Sequence, residues 1–205
     1  MSISGDLSLT TAPLTGTVSG LTEVQDITDI ELVRRTQGGD PESFSELVRR
    51  NQVMVYNLAW RFMRDGTQAE DMAQEAFFKA YRLLKGFKGQ CRFSTWMYRV
   101  TCSVCLTELN RRKRRNEVPL EAQHIASRQT RPSDEQDMPE HIRRCIGLLP
   151  ERYATIVTLY YLKETPYEEI AAAMEIPTGT LKTWMFRARK QLKKIVEQEL
   201  YSDAC

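Results

Sequence analysis

The sequence contains no run of eighteen apolar residues, so no membrane-spanning helix is expected. Lysine and arginine are missing from residues 1–30. The basic stretch that opens a secretory leader is therefore not there, and a cytoplasmic protein without membrane insertion is expected. Histidine is scarce: His124 and His141 stand alone, in no ligand spacing. Cysteine is scarce too. The chain has five cysteines, an odd number, and in a reducing compartment most should be free thiols. Cys102 and Cys105 form a lone C-x-x-C, half the ligand set of a structural zinc site. No metal and no cofactor is therefore expected. Alternating strand patterns are also missing, which leaves helices to carry the fold.

What the chain does have is segregated charge. Its net charge is only +2 over 205 residues. Residues 1–30 hold four acids and ten Ser/Thr, residues 111–115 read RRKRR, and residues 116–142 hold six acids against two arginines. Residues 178–194 hold six Lys/Arg and no acid. Two basic blocks around an acidic connector suit a polyanion held at two places.

Residues 1–28 are polar and poor in large apolar side chains, and read as a disordered tail. From Asp29 the apolar positions take helical spacing, broken at Gly38-Gly39-Asp40-Pro41. A second helix should run from Pro41 to about Met63 and end at Asp65-Gly66. Thr67-Gln68-Ala69-Glu70 reads as a capping box opening a third helix that buries Met72, Ala76, Phe77, Ala80, Leu83 and Leu84. Its other face carries Asp71, Gln74, Glu75 and Phe78, spaced i, i+3, i+4, i+7. A fourth helix should run from about Ser94 into RRKRR. The polar segment 116–138 reads as a flexible acidic linker. Helices over 139–149 and 150–162 follow. Thr165-Pro166-Tyr167-Glu168 reads as a second capping box, Glu175-Ile176-Pro177 as a tight turn, and Thr178 as the cap of a last helix to about Leu200. The architecture expected is all-α: two small helical domains, 29–115 and 139–200, joined by the linker, with a short tail at 201–205.

A short helix, a tight turn and a longer basic helix make a helix-turn-helix, whose second helix can enter the major groove. At 100° per residue Leu181, Met185, Ala188, Leu192 and Ile195 form an apolar stripe. Lys182, Thr183, Phe186, Arg187, Arg189 and Lys190 fall opposite, where an exposed Phe186 suits contact with a thymine methyl. Trp184 lies at the border and suits packing or DNA. Further upstream, Phe87, Phe93, Trp96 and Tyr98 are interleaved with Lys88, Arg92 and Arg99. Aromatics among cations suit single-stranded nucleic acid, because every base has a face to stack on. On the fourth helix Ser103 and Thr107 fall on the Trp96 face, and Cys102 and Cys105 fall away from it, as small core residues.

At this point the chain resembles the group IV, or extracytoplasmic-function (ECF), sigma factors of bacterial RNA polymerase, over nearly all of residues 29–200. AEDMAQEAF (69–77) is similar to their polymerase-docking segment. FKGQCRFSTWMYRV (87–100) is similar to the loop and helix that melt and read the −10 element. Residues 149–192, beginning LPERYATIV, are similar to their −35-reading module. The resemblance implies that Asp71, Gln74, Glu75 and Phe78 bind a basic coiled coil of the largest polymerase subunit. It implies a flipped-base pocket from Phe87, Lys88, Cys91, Arg92 and Phe93. Trp96, Arg99, Ser103 and Thr107 would line the opened strand, and Arg111 and Arg112 would hold phosphates. Thr178, Thr180, Lys182, Thr183, Phe186, Arg187 and Lys190 would read the −35 duplex. The implied partners are core RNA polymerase, promoter DNA and an anti-sigma factor that can hold the protein at the membrane. No homo-oligomer and no catalytic residue are implied. The chain departs from the pattern at Ser103 and Thr107, where the family often has amide or carboxylate side chains, and at Trp184, where arginine is frequent. Two rivals explain less. A stand-alone helix-turn-helix regulator accounts for residues 139–200 only, and a metal or redox sensor built on Cys102 and Cys105, with Cys91, His124, His141 or Cys145 as further candidates, accounts for those side chains only.

Overall fold

The computed structural model describes residues 27–114 and 139–202. Residues 1–26 of the expected tail, the whole acidic linker and residues 203–205 lie outside the described residues. Eight α-helices are described: α1 (Asp29–Gln37), α2 (Pro41–Met63), α3 (Gly66–Leu83), α4 (Phe93–Arg114), α5 (Glu140–Gly147), α6 (Glu151–Tyr161), α7 (Tyr167–Met174) and α8 (Thr178–Ser202). No strand occurs among the described residues, so the all-α expectation holds.

The helix ends follow local chemistry, and the structure corrects the sequence reading at four places. Asp40 caps α2 by accepting from Glu42 N (3.0 Å) and Ser43 N (3.4 Å), with Pro41 in the first turn. Helix α3 begins before the expected Thr67 box. Asp65 is the cap, and its carboxylate accepts from Gln68 N at 2.8 Å. The Thr165 box does not form. Thr165 is buried, its hydroxyl turned 3.5 Å from the Lys163 carbonyl, and Pro166 precedes α7 without a side-chain cap. Leu83 and Leu84 do not share a fate: Leu84 is buried, whereas Leu83 is 45% exposed. Leu83 ends α3 facing outward, and Leu84 opens the short 3-10 turn Leu84–Gly86 facing inward. Ile27 and Thr28, read as tail, are part of the ordered structure, and the Ile27 carbonyl accepts from Arg50 Nη1.

Two apolar clusters form the core. One joins Leu32, Val33, Leu47, Val55, Ala76, Ala80 and Leu84 to Phe87, Phe93, Trp96, Met97 and Val100. The other crosses between the halves of the chain. It runs from Leu58 and Phe62 of α2 and Tyr98, Cys102, Cys105 and Leu106 of α4 to Ile146, Leu149, Tyr153, Ile156, Leu159, Ile170 and Met185. Helix α4 lies between the two clusters, which explains why it is apolar on most sides. The two halves are packed together, not held apart. Buried Arg143 of α5 reinforces the junction by donating to the Phe62 carbonyl of α2 at 3.0 Å. Burial, with Arg64 and Arg144 nearby, pushes its guanidinium down to about 10.

Candidate nucleic-acid interface

The outer face of α3 is laid out as its spacing predicts. Asp71, Gln74 and Glu75 are exposed, Glu75 pairs with Arg82 at 3.1 Å, and Phe78 is 66% exposed. The small residues Ala69, Ala73, Ala76 and Ala80 hold the opposite side against the core. A protruding aromatic beside carboxylates and an amide suits a basic, partly apolar partner helix.

The aromatic loop takes a different form from the stacking platform that its composition suggests. Phe87, Phe93 and Trp96 are buried against one another, with ring centroids 5.1–6.2 Å apart. They brace the loop from inside, as edge and tilted aromatic contacts do in a core. The polar members of the set, Lys88 and Arg92, remain exposed. Gly89 turns the loop at φ +70°, where a Cβ would come within 2.7 Å of Ile30 Cδ1. Cys91 is half-buried, and burial together with the Glu169 carboxylate pushes its thiol up to about 11. Cys102 and Cys105 lie fully inside the shared cluster, on the side where the wheel puts them. Burial pushes both thiols up, Cys105 to about 12. Among the described residues no three metal-ligating side chains gather at one point.

On α4, Arg99 and Ser103 are half-covered and Thr107 is exposed, one turn apart along one edge. Lys79 of α3 joins them by donating to Ser103 Oγ at 2.9 Å. Sequence spacing on α3 points to Asp71, Gln74, Glu75 and Phe78 and passes over Lys79, whose role depends on the packing of α3 on α4. Arg111 and Arg112 extend the line, each paired to Glu108 at 2.6 and 2.8 Å. Arg112 also reaches Gln68 Oε1.

The second half presents α8. Leu181, Met185 and Ala188 are buried, and Leu192 and Ile195 pack at the margin. Lys182, Thr183, Phe186, Arg187 and Lys190 are exposed, Phe186 to 69%. Thr178 and Thr180 lie half-exposed in the first turn. Two side chains are resolved by tertiary contact. Trp184 packs at the core margin under the Arg152 guanidinium, 5.4 Å from its ring. Arg189 does not join the free basic stripe: it lies over the Tyr160 and Tyr161 rings at 5.5 and 5.7 Å, within 3.4 Å of the Tyr167 hydroxyl. The turn before α8 is set by Glu175, left-handed at φ 56°.

Between the halves, α6 and α7 meet the edge of α4. Thr95 Oγ1 donates to Glu169 at 2.6 Å, and Ser103 Oγ to Glu151 at 2.7 Å. Arg92 lies 3.5 Å from Glu169. Lys163 donates to Ser94 Oγ at 3.3 Å and lies 5.3 Å from the Tyr98 ring centre. Burial pushes the Lys163 ammonium down, against the opposing pull of Glu169. A cleft of about 450 Å³ beside these contacts is lined by Lys79, Arg99, Ser103, Glu151 and Arg152.

The chain matches a family model described as sigma-70 region 2 over residues 47–115, and one described as sigma-70, region 4 over residues 140–192. It is 34% identical over 181 residues to the RNA polymerase sigma-H factor of Pseudomonas aeruginosa, covering 82% of this chain and 94% of that one. It is 36% identical over 185 residues to the ECF RNA polymerase sigma-E factor of Escherichia coli K12, covering 84% of this chain and 96% of that one. Among solved structures, CnrH in complex with the cytosolic domain of CnrY aligns with a TM-score of 0.52 at 21% identity. It covers 83% of this chain and 97% of that one, a likeness of fold.

Proposed function

The chain belongs to the ECF sigma factors of bacterial RNA polymerase, non-enzymatic factors that direct promoter-specific transcription initiation, and from that membership we propose which surfaces do the work. The first half, 29–115, docks on the polymerase through Asp71, Gln74, Glu75 and Phe78. Its α4 edge, with Arg99, Ser103 and Thr107, receives the melted −10 strand. Lys88, Cys91 and Arg92 stand at the mouth of the base pocket, and Phe87, Phe93 and Trp96 shape it from within. Arg111 and Arg112 hold phosphates, a contribution that does not depend on sequence and weakens with salt. The second half, 139–200, reads the −35 duplex through Thr178, Thr180, Lys182, Thr183, Phe186, Arg187 and Lys190. The polymerase performs the chemistry. Sigma factors work with it in the cytoplasm, and an anti-sigma factor holds this one in reserve, with tethering at the membrane as one form of that control.

The observation that carries this reading is the exposed stripe of α8, cationic around an outward Phe186, on a helix whose other stripe is buried. In vitro transcription with core polymerase and start-site mapping tests it. Specific initiation only in the presence of this chain is expected; tight, specific promoter binding without core polymerase would count against it. Replacing Asp71 and Gln74 together should abolish co-purification with core polymerase while the circular dichroism spectrum stays unchanged. Retained binding would move the docking surface elsewhere.

A further inference from the structure

We propose that Arg152, in the first turn of α6, is a further DNA contact: it holds a phosphate on one wall of the −35 major groove, and Trp184 of α8 positions it there. The inference rests on the −35 reading of α8 and adds to it a residue outside the helix-turn-helix.

Packing places the pair. Leu181 and Met185 of α8 share a buried cluster with Tyr153, Ile156 and Leu159 of α6. The first turn of α6 thereby comes beside Trp184 in the second turn of α8. The Arg152 guanidinium lies 5.4 Å from the centre of the Trp184 ring and 5.1 Å from that of Tyr153. Trp184 is half-buried, and Arg152 is exposed. Two rings therefore seat a cation whose outer side meets solvent. A guanidinium resting on a ring by its face keeps its N–H fork available for a phosphate. Among the described residues Arg152 forms no ion pair, in contrast to Arg111 and Arg112, which share Glu108. The neighbouring Glu151 is turned to α4, where it accepts from Ser103 Oγ at 2.7 Å.

The direction comes from the helix. At 100° per residue the exposed stripe of Lys182, Phe186, Lys190, Thr183 and Arg187 spans about 140° of α8. Trp184 stands about 60° beyond Arg187, and so about 130° from the middle of the stripe. The major groove is ~12 Å wide and a helix ~10–12 Å thick. A helix that turns its stripe to the base edges therefore fills the groove, and its flanks lie against the phosphate strands. Trp184 is on such a flank, with half-exposed Thr180 about 40° away. Its indole carries no charge of its own, but it bears the Arg152 cation at that place. Because the rings hold Arg152 before DNA arrives, less of the ordering cost of a long side chain falls on binding. A phosphate contact of this kind fixes register and adds affinity, while the stripe reads sequence.

The test uses holoenzyme, this chain with core polymerase, on a promoter duplex identified by start-site mapping. Filter binding reads affinity from about 50 to 200 mM salt. Arg152→Gln should weaken binding about five- to tenfold at the lowest salt and lower the salt slope by about one. Single neutral methylphosphonate linkages, placed in turn along both strands of the −35 region, locate the contact. One of them should weaken the wild type about fivefold and leave Arg152→Gln unchanged. Trp184→Leu should weaken binding about threefold, Trp184→Phe should restore most of that, and Trp184→Leu should add nothing to Arg152→Gln. Unchanged affinity and slope in Arg152→Gln overturn the contact, as does a linkage scan in which that variant matches the wild type throughout. Effects that multiply in the double variant overturn the positioning role of Trp184. A fluorinated tryptophan at position 184 keeps the ring's shape and weakens its negative face, so it reads that role even where Trp184→Leu misfolds; unchanged affinity with it overturns the role too. A wild type whose start site ignores changes in the −35 element overturns the α8 reading itself. A −35-dependent wild type with an unaffected Arg152→Gln overturns this inference alone.

Discussion

Asp65 and Thr67 stand two residues apart, and either can cap a helix. Only Asp65 sits in extended backbone, at φ −139° and ψ 130°, with its carboxylate on Gln68 N. Asp65→Ala should therefore destabilise the protein by about 1 kcal/mol and Thr67→Ala by far less, read as shifts in urea midpoint at constant slope. Glu108 makes a second residue-scale case. Its hydrogen bond to Arg111, followed by that to Arg112, lowers its carboxyl from 4.5 to about 2. A carboxyl lowered on folding stabilises the native state above its unfolded value and loses that contribution as pH falls. Glu108→Gln should thus cost about 0.5 kcal/mol at pH 7, because Arg111 is half-exposed and solvent screens the pair. The difference from wild type should shrink between pH 4.5 and 2, as measured by thermal melts across that range. Spacing alone identifies Glu108 and its arginines at i+3 and i+4. It does not choose between Asp65 and Thr67, because both obey the same local rule.

At the scale of elements, α8 shows how a wheel is right about stripes and incomplete about members. The buried stripe of Leu181, Met185 and Ala188 follows the 3.6-residue period. Arg189 sits on the basic side of that wheel and stays exposed, yet it lies over the Tyr160 and Tyr161 rings and beside the Tyr167 hydroxyl. Lys182→Ala and Arg187→Ala should each weaken −35-dependent transcription by about 1–3 kcal/mol if they contact bases. Arg189→Ala should instead lower thermal stability by about 0.5–1 kcal/mol through lost cation–π contact. A reporter with an altered −35 element and a melting curve for each variant separate the two effects. The α3 face was legible for a simpler reason: Asp71, Gln74, Glu75 and Phe78 recur at helical spacing, opposite Ala76 and Ala80 on the buried side. The aromatic loop was not. Phe87, Phe93 and Trp96 look alike whether they stack on bases or on each other, and only the fold turns them inward.

At the scale of the whole molecule, the shared apolar cluster makes the two halves one thermodynamic body. Differential scanning calorimetry of the free chain should give a single transition with equal calorimetric and van't Hoff enthalpies. Two resolved transitions would mean that the cluster through Tyr98, Cys102 and Leu149 contributes little to stability.

Helical periodicity, turn punctuation and charge blocks are local properties, and they sufficed for the all-α class, the order of the segments, the outward α3 face and the basic stripe of α8. Whether the halves stand apart or close is not local. Thr95 meets Glu169 across 74 residues and Ser103 meets Glu151 across 48, and no pattern within either segment marks those pairings. Tertiary packing alone decided which neighbours Thr95 and Ser103 meet, because burying the apolar side of α4 brings α6 and α7, with Glu151 and Glu169, against it.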